Sequence, residues 1–431
     1  MQTDRELVTY CIDKMKHAGA HKAQCYLKHS KKHELNVEAG EMTLLRTNFD
    51  TSIILKAIID DKRGDIKINK KDISSLDAAV AQVIEFAQSS YPDKANDIAE
   101  KQPSKEFTAG PESPDMDLMY DKLAEFVEYV PKTYPKTVIE QAIMDFTQTN
   151  IIIQNSNGVD FAGNRGVYSF GVMFTSKDGE KASSFNHSGF DAKSLDKPLK
   201  DYATIDSLLK QSSESIHTIS FPGKIVGDVI ITPDCLSSFV YYISNMLSDY
   251  MMISGSSAFK DKLNEKIASE LLTLHANPRS PEIAKNYFFT LDGFEAQNIT
   301  IIDKGVLKSF LLSQNGANKT GKPRGLNSGG CYVIEPGASS YEDMISSIDK
   351  GILLCRFSGG NPSDNGDFSG VAKNSFLIEN GKVTTPLNET MIAGNLIDLL
   401  KNIKGISQER INYGSAIYPC LHVKGVTVSG K

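Results

Sequence analysis

Cys420 and His422 are a pair of residues whose types and spacing could hold a metal ion. They lie two positions apart in a predicted strand, so their side chains share one face of it. A thiolate and an imidazole are both zinc ligands, but a zinc site takes four ligands and the sequence indicates no other two. We therefore favour a buried position in a core strand over metal ligation for this pair.

Two further stretches resemble ligand-binding loops without completing them. The segment GANKTGKP, residues 316–323, nearly matches the phosphate-binding loop, but Pro323 stands where a Ser or Thr hydroxyl should bind magnesium. The segment GGNPSDNGDFSG, residues 359–370, resembles a calcium loop. Counted from Asn361, its twelfth position is Ala372, where a bidentate Glu is needed. We predict a flexible basic loop for the first segment and a turn-rich loop for the second.

The histidines His29 and His33 are spaced four residues apart, which would suit a pair of ligands on a helix. Their segment is predicted to be strand and loop, so we interpret both as solvated side chains. The sequence also contains no G-x-S-x-G motif and no cysteine-protease motif. Motifs alone therefore assign no catalytic residue and no metal ligand.

Composition narrows the class of protein. The chain has 431 residues, 40% of them hydrophobic and 23% charged, which is typical of a globular protein with more than one core. A formal net charge of -6 leaves no basic excess for phosphate groups and argues against nucleic-acid binding. Six scattered cysteines without a C-x-x-C pair, and an N-terminus without an apolar leader, favour a cytoplasmic location.

The N-terminal part of the chain predicts a sheet covered by helices. A capping box at Thr3 and Glu6 begins a helix that runs to about His17. Four runs rich in β-forming residues follow and predict an antiparallel meander. Residues 72–88 repeat apolar side chains at helical spacing and predict a second helix that covers one face of the meander.

The middle of the chain predicts a connection, a helix and hairpins. Residues 89–114 carry four prolines and are predicted to be a long connection. A third helix is predicted at residues 116–129, where Pro131 would stop it. Turns at Asn157-Gly158 and Asp178-Gly179 then predict hairpins.

The stretch Cys235–Ser254 is long and apolar enough to suggest a membrane span, but Asn245 and Asp249 interrupt it. Thr232 as N-cap and Pro233 at the first helical position instead predict a buried amphipathic helix. The remaining chain predicts mostly strands. The predicted class is α+β, with an N-terminal antiparallel sheet with helices on one face at residues 1–220 and a β-rich, barrel-like domain at residues 221–431.

Three stretches in a fixed order resemble the TldD/PmbA family, whose members have been named modulators of DNA gyrase. They are GSSAFKDKLNEKIASELLTLHANP, DGFEAQNITIIDKGVLKSFLLS and GDFSGVAKNSFLIENGKVTTPLNETMIAGNLIDLL. The resemblance covers the C-terminal half closely and the N-terminal half in its order of elements. It implies a cytoplasmic, dimeric peptidase system with an N-terminal α/β domain and a C-terminal barrel-like domain.

The resemblance also implies a zinc motif that this chain lacks. In the TldD branch, a helix before the Ser-Ala-Phe segment carries His-Glu-x-x-x-His, whose imidazoles hold zinc and whose Glu takes a proton from bound water. Counting back from Ser257 places this motif at Val240, Tyr241 and Asn245, none of which can fill those roles. The family's C-terminal cysteine ligand is also missing from residues 413–418. The chain therefore resembles the PmbA branch, also called TldE, whose members resemble metal-free partners of TldD.

From this resemblance we expect a metal-free subunit, without its own cofactor, that pairs with a zinc-bearing TldD-like paralogue and processes or degrades unfolded peptides. We expect Gly359, Gly360, Asn365 and Asp367 to face the peptide. One alternative is a homodimeric peptide-binding scaffold without a proteolytic partner. Another is an autonomous peptidase with an unrecognised site. Neither nucleic acid nor a membrane is an expected partner.

Overall fold

The protein contains a sheet with helices packed on one face, followed by a second, mixed sheet. The computed structural model describes residues 3–430. Residues 1, 2 and 431, at the outer ends of the two predicted domains, lie outside the described residues. The predicted α+β class is confirmed, while the division at residue 220 stays a prediction.

The first sheet and its helices occupy the N-terminal half. In chain order the elements are α1 (Asp4–His17), β1 (Lys22–Glu38), β2 (Glu41–Ile59), β3 (Lys62–Ile68), α2 (Ile73–Ser89), β4 (Lys105–Ala109), α3 (Met116–Thr133), β5 (Thr137–Asn155), β6 (Asp160–Asp178), β7 (Lys181–Ala182), β8 (Asn186–Ala192) and α4 (Ile205–Glu214). The strand order is β3-β2-β1-β5-β6-β4, and both β7 and β8 also pair with β6.

The second sheet fills the C-terminal half. Its elements are β9 (Ile219–Ser220), β10 (Lys224–Ile231), α5 (Pro233–Met246), α6 (Asp249–Ile253), β11 (Leu274–Ala276), β12 (Ile299–Asp303), β13 (Val306–Leu307), α7 (Gln314–Thr320), β14 (Tyr332–Ile334), α8 (Tyr341–Ser346), β15 (Lys350–Leu354), β16 (Arg356–Gly359), β17 (Asp367–Lys373), β18 (Ser375–Glu379), β19 (Lys382–Asn388), β20 (Thr390–Asn395), α9 (Leu396–Lys401), β21 (Ile403–Asn412) and β22 (Ile417–Ser429). The main path is β13-β12-β11-β14-β22-β10-β15-β18-β19-β9.

Alternation along the strands decides which face of the first sheet the helices cover. Successive side chains of a strand point to opposite faces, so Leu27 and Leu35 of β1 share one face. Leu27 is buried with α1 and α2, and Leu35 is buried with α3 and α4. The capping box predicted at Thr3 and Glu6 is present at the start of α1. The helices therefore leave the opposite face of the sheet, with its polar residues, available for a site.

β1 and β2 are each one long strand, whereas the sequence predicted four shorter runs. Cross-strand pairing continues through their polar middle sections, so turn-forming residues there do not break the ladder. His29 and His33 consequently both lie in β1. Their Nδ1 atoms are each 3.0 Å from a threonine hydroxyl of β2, at Thr51 and Thr47, so both partly exposed rings are hydrogen-bonded rather than simply solvated.

Two other predictions differ from the structure, and one helix was not predicted. Residues 89–114 include β4, which pairs in parallel with β6, so this segment is partly packed. The helix α3 continues through Pro131 to Thr133, because a proline in the last turn removes only a terminal hydrogen bond. The helix α4 was not predicted, although it buries Ile205, Leu208 and Leu209.

The apolar stretch at residues 235–254 forms two helices rather than one. As predicted, α5 begins after Thr232 with Pro233 in its first turn, and it packs in the core of the second sheet. It ends at Met246, and α6 follows from Asp249. Within residues 3–430, no helix is long and apolar enough to cross a membrane.

The segment predicted as a basic loop at residues 316–323 is instead largely helical. Residues 314–320 form α7, and Gly321 ends it in the left-handed conformation. Asp249 accepts hydrogen bonds from the backbone and hydroxyl of Ser313, the N-cap of α7, and the two helices pack together. A helix held in this way does not provide the open loop that phosphate binding needs.

Within the described residues, the outer edge of β2 has no paired strand along more than half of its length. β3 pairs only with Ile53–Ile59, and within the described part of the chain no strand pairs with this edge at residues 41–52. Residues 41–50 are exposed on both faces. They include Leu45 and Phe49, which are 65% and 67% exposed. Long apolar edges of this kind are normally covered in folded proteins.

Candidate functional site

A row of polar residues crosses the face of the first sheet that the helices leave open. Glu34 of β1 lies opposite Asp145 of β5, which lies opposite Ser169 of β6, which lies opposite Asp191 of β8. Lys32 Nζ bridges two of these residues, at 2.8 Å from Glu34 and 3.1 Å from Asp145. This row forms a hydrogen-bonded, charge-paired floor.

The charges of the floor are balanced in pairs. Arg46 adds a second cation 2.6 Å from Glu34, and Lys285 lies 3.3 Å from Asp191. Burial acts to raise the pKa of Glu34, but Lys32 and Arg46 together hold it below its usual value. Burial raises the pKa of Asp145 despite the neighbouring Lys32. The ionised form of Glu34 therefore depends on Lys32 and Arg46. Burial opposes ionisation of Asp145, and Lys32 favours it.

A cavity of 780 Å³ lies between this floor and the second sheet. A cavity of this size is in the range that holds small ligands or short peptides. Its N-terminal wall comes from β5, β6 and β8, and its C-terminal wall from the start of α5, residues 330–332, residues 355–356 and the loop between β21 and β22. Gly171 and Gly189 lie directly opposite each other in the floor, and the open space at the Cβ position of Gly171 leaves room above the sheet.

β8 presents an incompletely paired edge to this cavity. The backbone N–H of Asp191 points away from β6 and donates to the Tyr413 carbonyl at 2.8 Å. In an antiparallel pair, inward and outward backbone groups alternate, so the N–H and C=O groups of Gly189 and His187 also point outward. β8 therefore offers backbone donors and acceptors at the cavity wall.

Asp234 is a carboxylate of the C-terminal wall, in the first turn of α5. Its Oδ1 accepts a hydrogen bond of 2.7 Å from Thr204 Oγ1. Burial raises the pKa of Asp234. The pKa of the neighbouring His187 is lowered, first by burial and then by Arg356, so this ring is neutral near pH 7. Among residues 3–430, no cation lies within ion-pair distance of Asp234.

Tyr413 stands beside Asp234 at the same wall. Its hydroxyl has almost no contact with solvent and interacts with the Asp234 carboxylate and the Thr204 hydroxyl, although neither contact has the geometry of a normal hydrogen bond. Burial, followed by the negative charge of Asp234, raises the pKa of Tyr413 well above its usual value. A buried hydroxyl whose contacts fall short of normal hydrogen-bond geometry is uncommon in folded proteins and is a feature to be explained by function.

The positions that would carry a zinc motif lie on α5, away from the cavity. Val240 is 1% exposed and packs in the core, whereas Tyr241 is 61% exposed and Asn245 is also exposed. None of the three lines the cavity. Within the described residues, no three His, Cys, Asp or Glu side chains are grouped as a metal site would need. The donor set at this helix therefore does not fit zinc.

Gly359, Gly360, Asn365 and Asp367 lie where β16 turns into β17, outside the cavity wall. The Asp367 carboxylate accepts hydrogen bonds of 2.9 Å from Asn365 and from Asn395, the N-cap of α9. These contacts order the loop, and its role in peptide binding stays a prediction.

Cys420 and His422 both make structural contacts. His422 Nε2 lies 2.5 Å from Asp228 Oδ1, so the imidazole already has a partner. Cys420 packs against an apolar group that includes Met344 and Cys355, and burial raises the pKa of its thiol to about 12. All six cysteines are free. The favoured interpretation of this pair as core residues agrees with the structure.

Sequence reasoning did not identify the residues of the cavity wall. Gly171 carried a usable signal, because glycine inside a strand often marks a place where a ligand approaches the backbone. The sequence predicts the start of α5 from Thr232 and Pro233 and gives no role to Asp234, and Tyr413 is only the first residue of the segment that lacks the cysteine. Their proximity depends on how the two sheets pack.

Replacement of Asp234 by Asn is expected to stabilise the protein by about 1 kcal/mol near pH 7, because it removes a buried charge and keeps the Thr204 contact. Burial raises the folded-state pKa of Asp234 above the unfolded value, so the wild type regains stability as pH falls through that raised pKa. The advantage should vanish below about pH 4, the usual range of Asp. Urea unfolding at both pH values measures it.

The control for this variant is Asp121→Asn, at an exposed position of α3. It should leave stability unchanged at both pH values. A loss of stability in Asp234→Asn near pH 7 would show that the carboxylate is needed for the fold rather than tolerated by it.

Comparison with known proteins gives a family match over the C-terminal half. Residues 222–430 match the model described as the PmbA/TldA metallopeptidase C-terminal domain. A metalloprotease of Methanocaldococcus jannaschii is 27% identical over 194 residues, which span 42% of this chain and 43% of that relative. The matched part is thus less than half the length of this relative.

Other matches extend over nearly the whole chain, among them one sequence and one structure. The metalloprotease PmbA of Escherichia coli O157:H7 is 22% identical over 424 residues, 90% of this chain and 88% of that protein. The crystal structure of TldE from Thermococcus kodakarensis superposes with a TM-score of 0.83 at 19% identity, covering 99% of each chain, which shows a shared fold. Residues 222–430 are therefore similar to the PmbA/TldA metallopeptidase C-terminal domain, and the chain as a whole shares the fold of TldE from Thermococcus kodakarensis.

Proposed function

We propose that this chain is the metal-free, PmbA/TldE-like subunit of a zinc peptidase system that acts on unfolded peptides in the cytoplasm. The observation that carries the proposal is the composition of α5. The positions of the family's zinc motif hold a core valine, an exposed tyrosine and an exposed asparagine at Val240, Tyr241 and Asn245. Such side chains cannot hold zinc or take a proton from a bound water.

The cavity supports a role in holding peptide. Its wall includes the outward backbone groups of His187 and Gly189, which could pair with an extended chain as an added strand. Backbone pairing of this kind favours extended, unfolded segments and has little preference for sequence. The floor of paired charges is close to neutral, which suits a polypeptide backbone better than a strongly charged ligand.

In this proposal the zinc belongs to a TldD-like paralogue, and this chain contributes peptide-holding surface to the assembly. Zinc supplies an activated water for hydrolysis when it is bound in such a subunit. The bare edge of β2 is one surface through which a second subunit, whether a paralogue or another copy of this chain, could extend the first sheet.

Elemental analysis of the purified chain tests the proposal. We expect well below one zinc per chain, both as purified without chelator and after addition of zinc and dialysis. We also expect no hydrolysis of unfolded peptides by the chain alone, and hydrolysis when a paralogue with His-Glu-x-x-x-His is added. A control without this chain shows how much of the activity the paralogue has by itself.

Other outcomes would favour the alternatives. One tightly bound zinc per chain, lost in a Cys420→Ser, His422→Asn double variant, would show that this chain has its own metal site. Zinc-dependent peptidase activity of the chain alone would support an autonomous enzyme. If this chain binds peptide and no hydrolysis follows when a paralogue is added, the result would support a homodimeric scaffold.

A further inference from the structure

We propose that Asp234 and Tyr413 form a binding site for the N-terminal ammonium group of a peptide held along β8, an inference that rests on the proposed function. Three features carry it: a carboxylate without a cation, a buried phenol hydroxyl beside it, and a blocked end of the β8 edge.

Asp234 differs from the other carboxylates of the cavity wall. Asp145 is paired with Lys32, and Asp191 with Lys285. The nearby Arg356 is directed to the carbonyl of Phe185, to which it donates at 2.7 Å. Among the residues that the structure describes, Asp234 therefore has a hydroxyl donor but no cation. A buried carboxylate in this state is suited to a cationic ligand.

Tyr413 completes the recognition of such a cation. A primary ammonium group has three N–H donors and no acceptor. One or two of these donors could bond the Asp234 carboxylate, and another could bond the phenol oxygen of Tyr413, whose own O–H interacts with Asp234. A secondary amide has one N–H and no charge, so it could not satisfy both groups.

The geometry of β8 points to a chain end rather than a lysine side chain. A peptide that pairs with Gly189 and His187 would meet the segment of Tyr413 at Asp191, because the Tyr413 carbonyl already accepts the Asp191 N–H at 2.8 Å. Gly414 packs against the Asp191 carbonyl at the same place. The peptide must therefore end beside Tyr413, and its terminal ammonium would lie next to Asp234.

Binding of short peptides to the full chain tests this site. The probe is an alanine-rich pentapeptide with a fluorophore at its C-terminus, measured by fluorescence anisotropy. Acetylation of its N-terminus should weaken binding at least about tenfold, or about 1.4 kcal/mol at 25 °C. In Asp234→Asn, which keeps the shape of the side chain, free and acetylated peptides should bind with equal affinity.

A second variant keeps the test valid if Asp234→Asn does not fold. Tyr413→Phe keeps the ring and removes only the hydroxyl, and it should weaken binding of the free peptide roughly threefold to tenfold while leaving the acetylated peptide unaffected. Tyr332→Phe is the matched control, because Tyr332 also lines the cavity wall. It should not distinguish the two peptides.

The outcomes separate this inference from the proposed function. Equal affinity of the wild type for free and acetylated peptides would overturn the ammonium site and leave the peptide cleft standing. Absence of binding for both peptides would overturn the cleft and the ammonium site together. Equally tight, Asp234-dependent binding of an acetylated peptide with a terminal lysine would overturn the assignment to the chain end.

Discussion

Replacement of Gly414 by Ala is expected to destabilise the protein by at least about 3 kcal/mol, at the upper end of single-substitution effects. Gly414 has a φ of +76°, and an added Cβ would overlap the carbonyl oxygen of Asp191. Its own carbonyl accepts hydrogen bonds from Ala284 and Lys285 at 2.7 and 2.9 Å. The loop cannot move away from β8 without loss of these bonds. Urea unfolding measures the cost.

Gly330→Ala is the matched control for this prediction. Gly330 also lines the cavity and has a φ of +75°, but no atom lies within 4 Å of the position of an added Cβ. It should cost only the strain of the left-handed conformation, about 1–2 kcal/mol. Equal costs at both glycines would show that contact between Gly414 and β8 contributes nothing to stability.

Replacement of Lys32 by Met is expected to destabilise the protein by about 2 kcal/mol near pH 7. Removing one partner of a fully buried pair costs about 3–5 kcal/mol, and the smaller figure applies here because Lys32 is 35% exposed. The change leaves the Asp145 carboxylate without a cation and Glu34 with Arg46 alone. The methionine retains most of the apolar contacts of the lysine stem.

The cost of Lys32→Met should depend on pH. Because its cations lower the folded-state pKa of Glu34, their stabilising effect is complete above the ordinary Glu pKa of about 4.3 and is lost as pH falls through the lowered value. The difference from wild type should therefore shrink below about pH 4. The control is Lys132→Met, which breaks an exposed pair with Glu128 and should have no measurable effect. A pH-independent difference would contradict the electrostatic explanation.

Local signals in the sequence predicted the elements but not the cavity. Thr232 and Pro233 marked the start of α5 because capping depends on adjacent residues. The pairing of β4 with β6 joins segments that are distant in sequence, and no local pattern reports it. The resemblance of three C-terminal motifs predicted the match of residues 222–430 to the PmbA/TldA C-terminal domain.

The wall of the candidate site illustrates the same limit. Gly189, Asp234 and Tyr413 come from three separate regions and meet only because the two sheets pack together. Each is unremarkable in its own segment, as a strand glycine, a first-turn carboxylate and a loop tyrosine. The absence of a zinc motif from α5 could be predicted from sequence, since it requires only the identities of a few neighbouring residues.

The unpaired edge of β2 affects how much free chain a cell can tolerate. A flat strand that shows Leu45 and Phe49 to solvent can recruit any other extended chain, including nascent copies of itself, into unwanted fibrillar contacts. Surplus copies would thus be prone to aggregation and to removal by quality control. If a second subunit pairs with that edge, as the proposed function expects, balanced synthesis of the two chains would keep such surplus small.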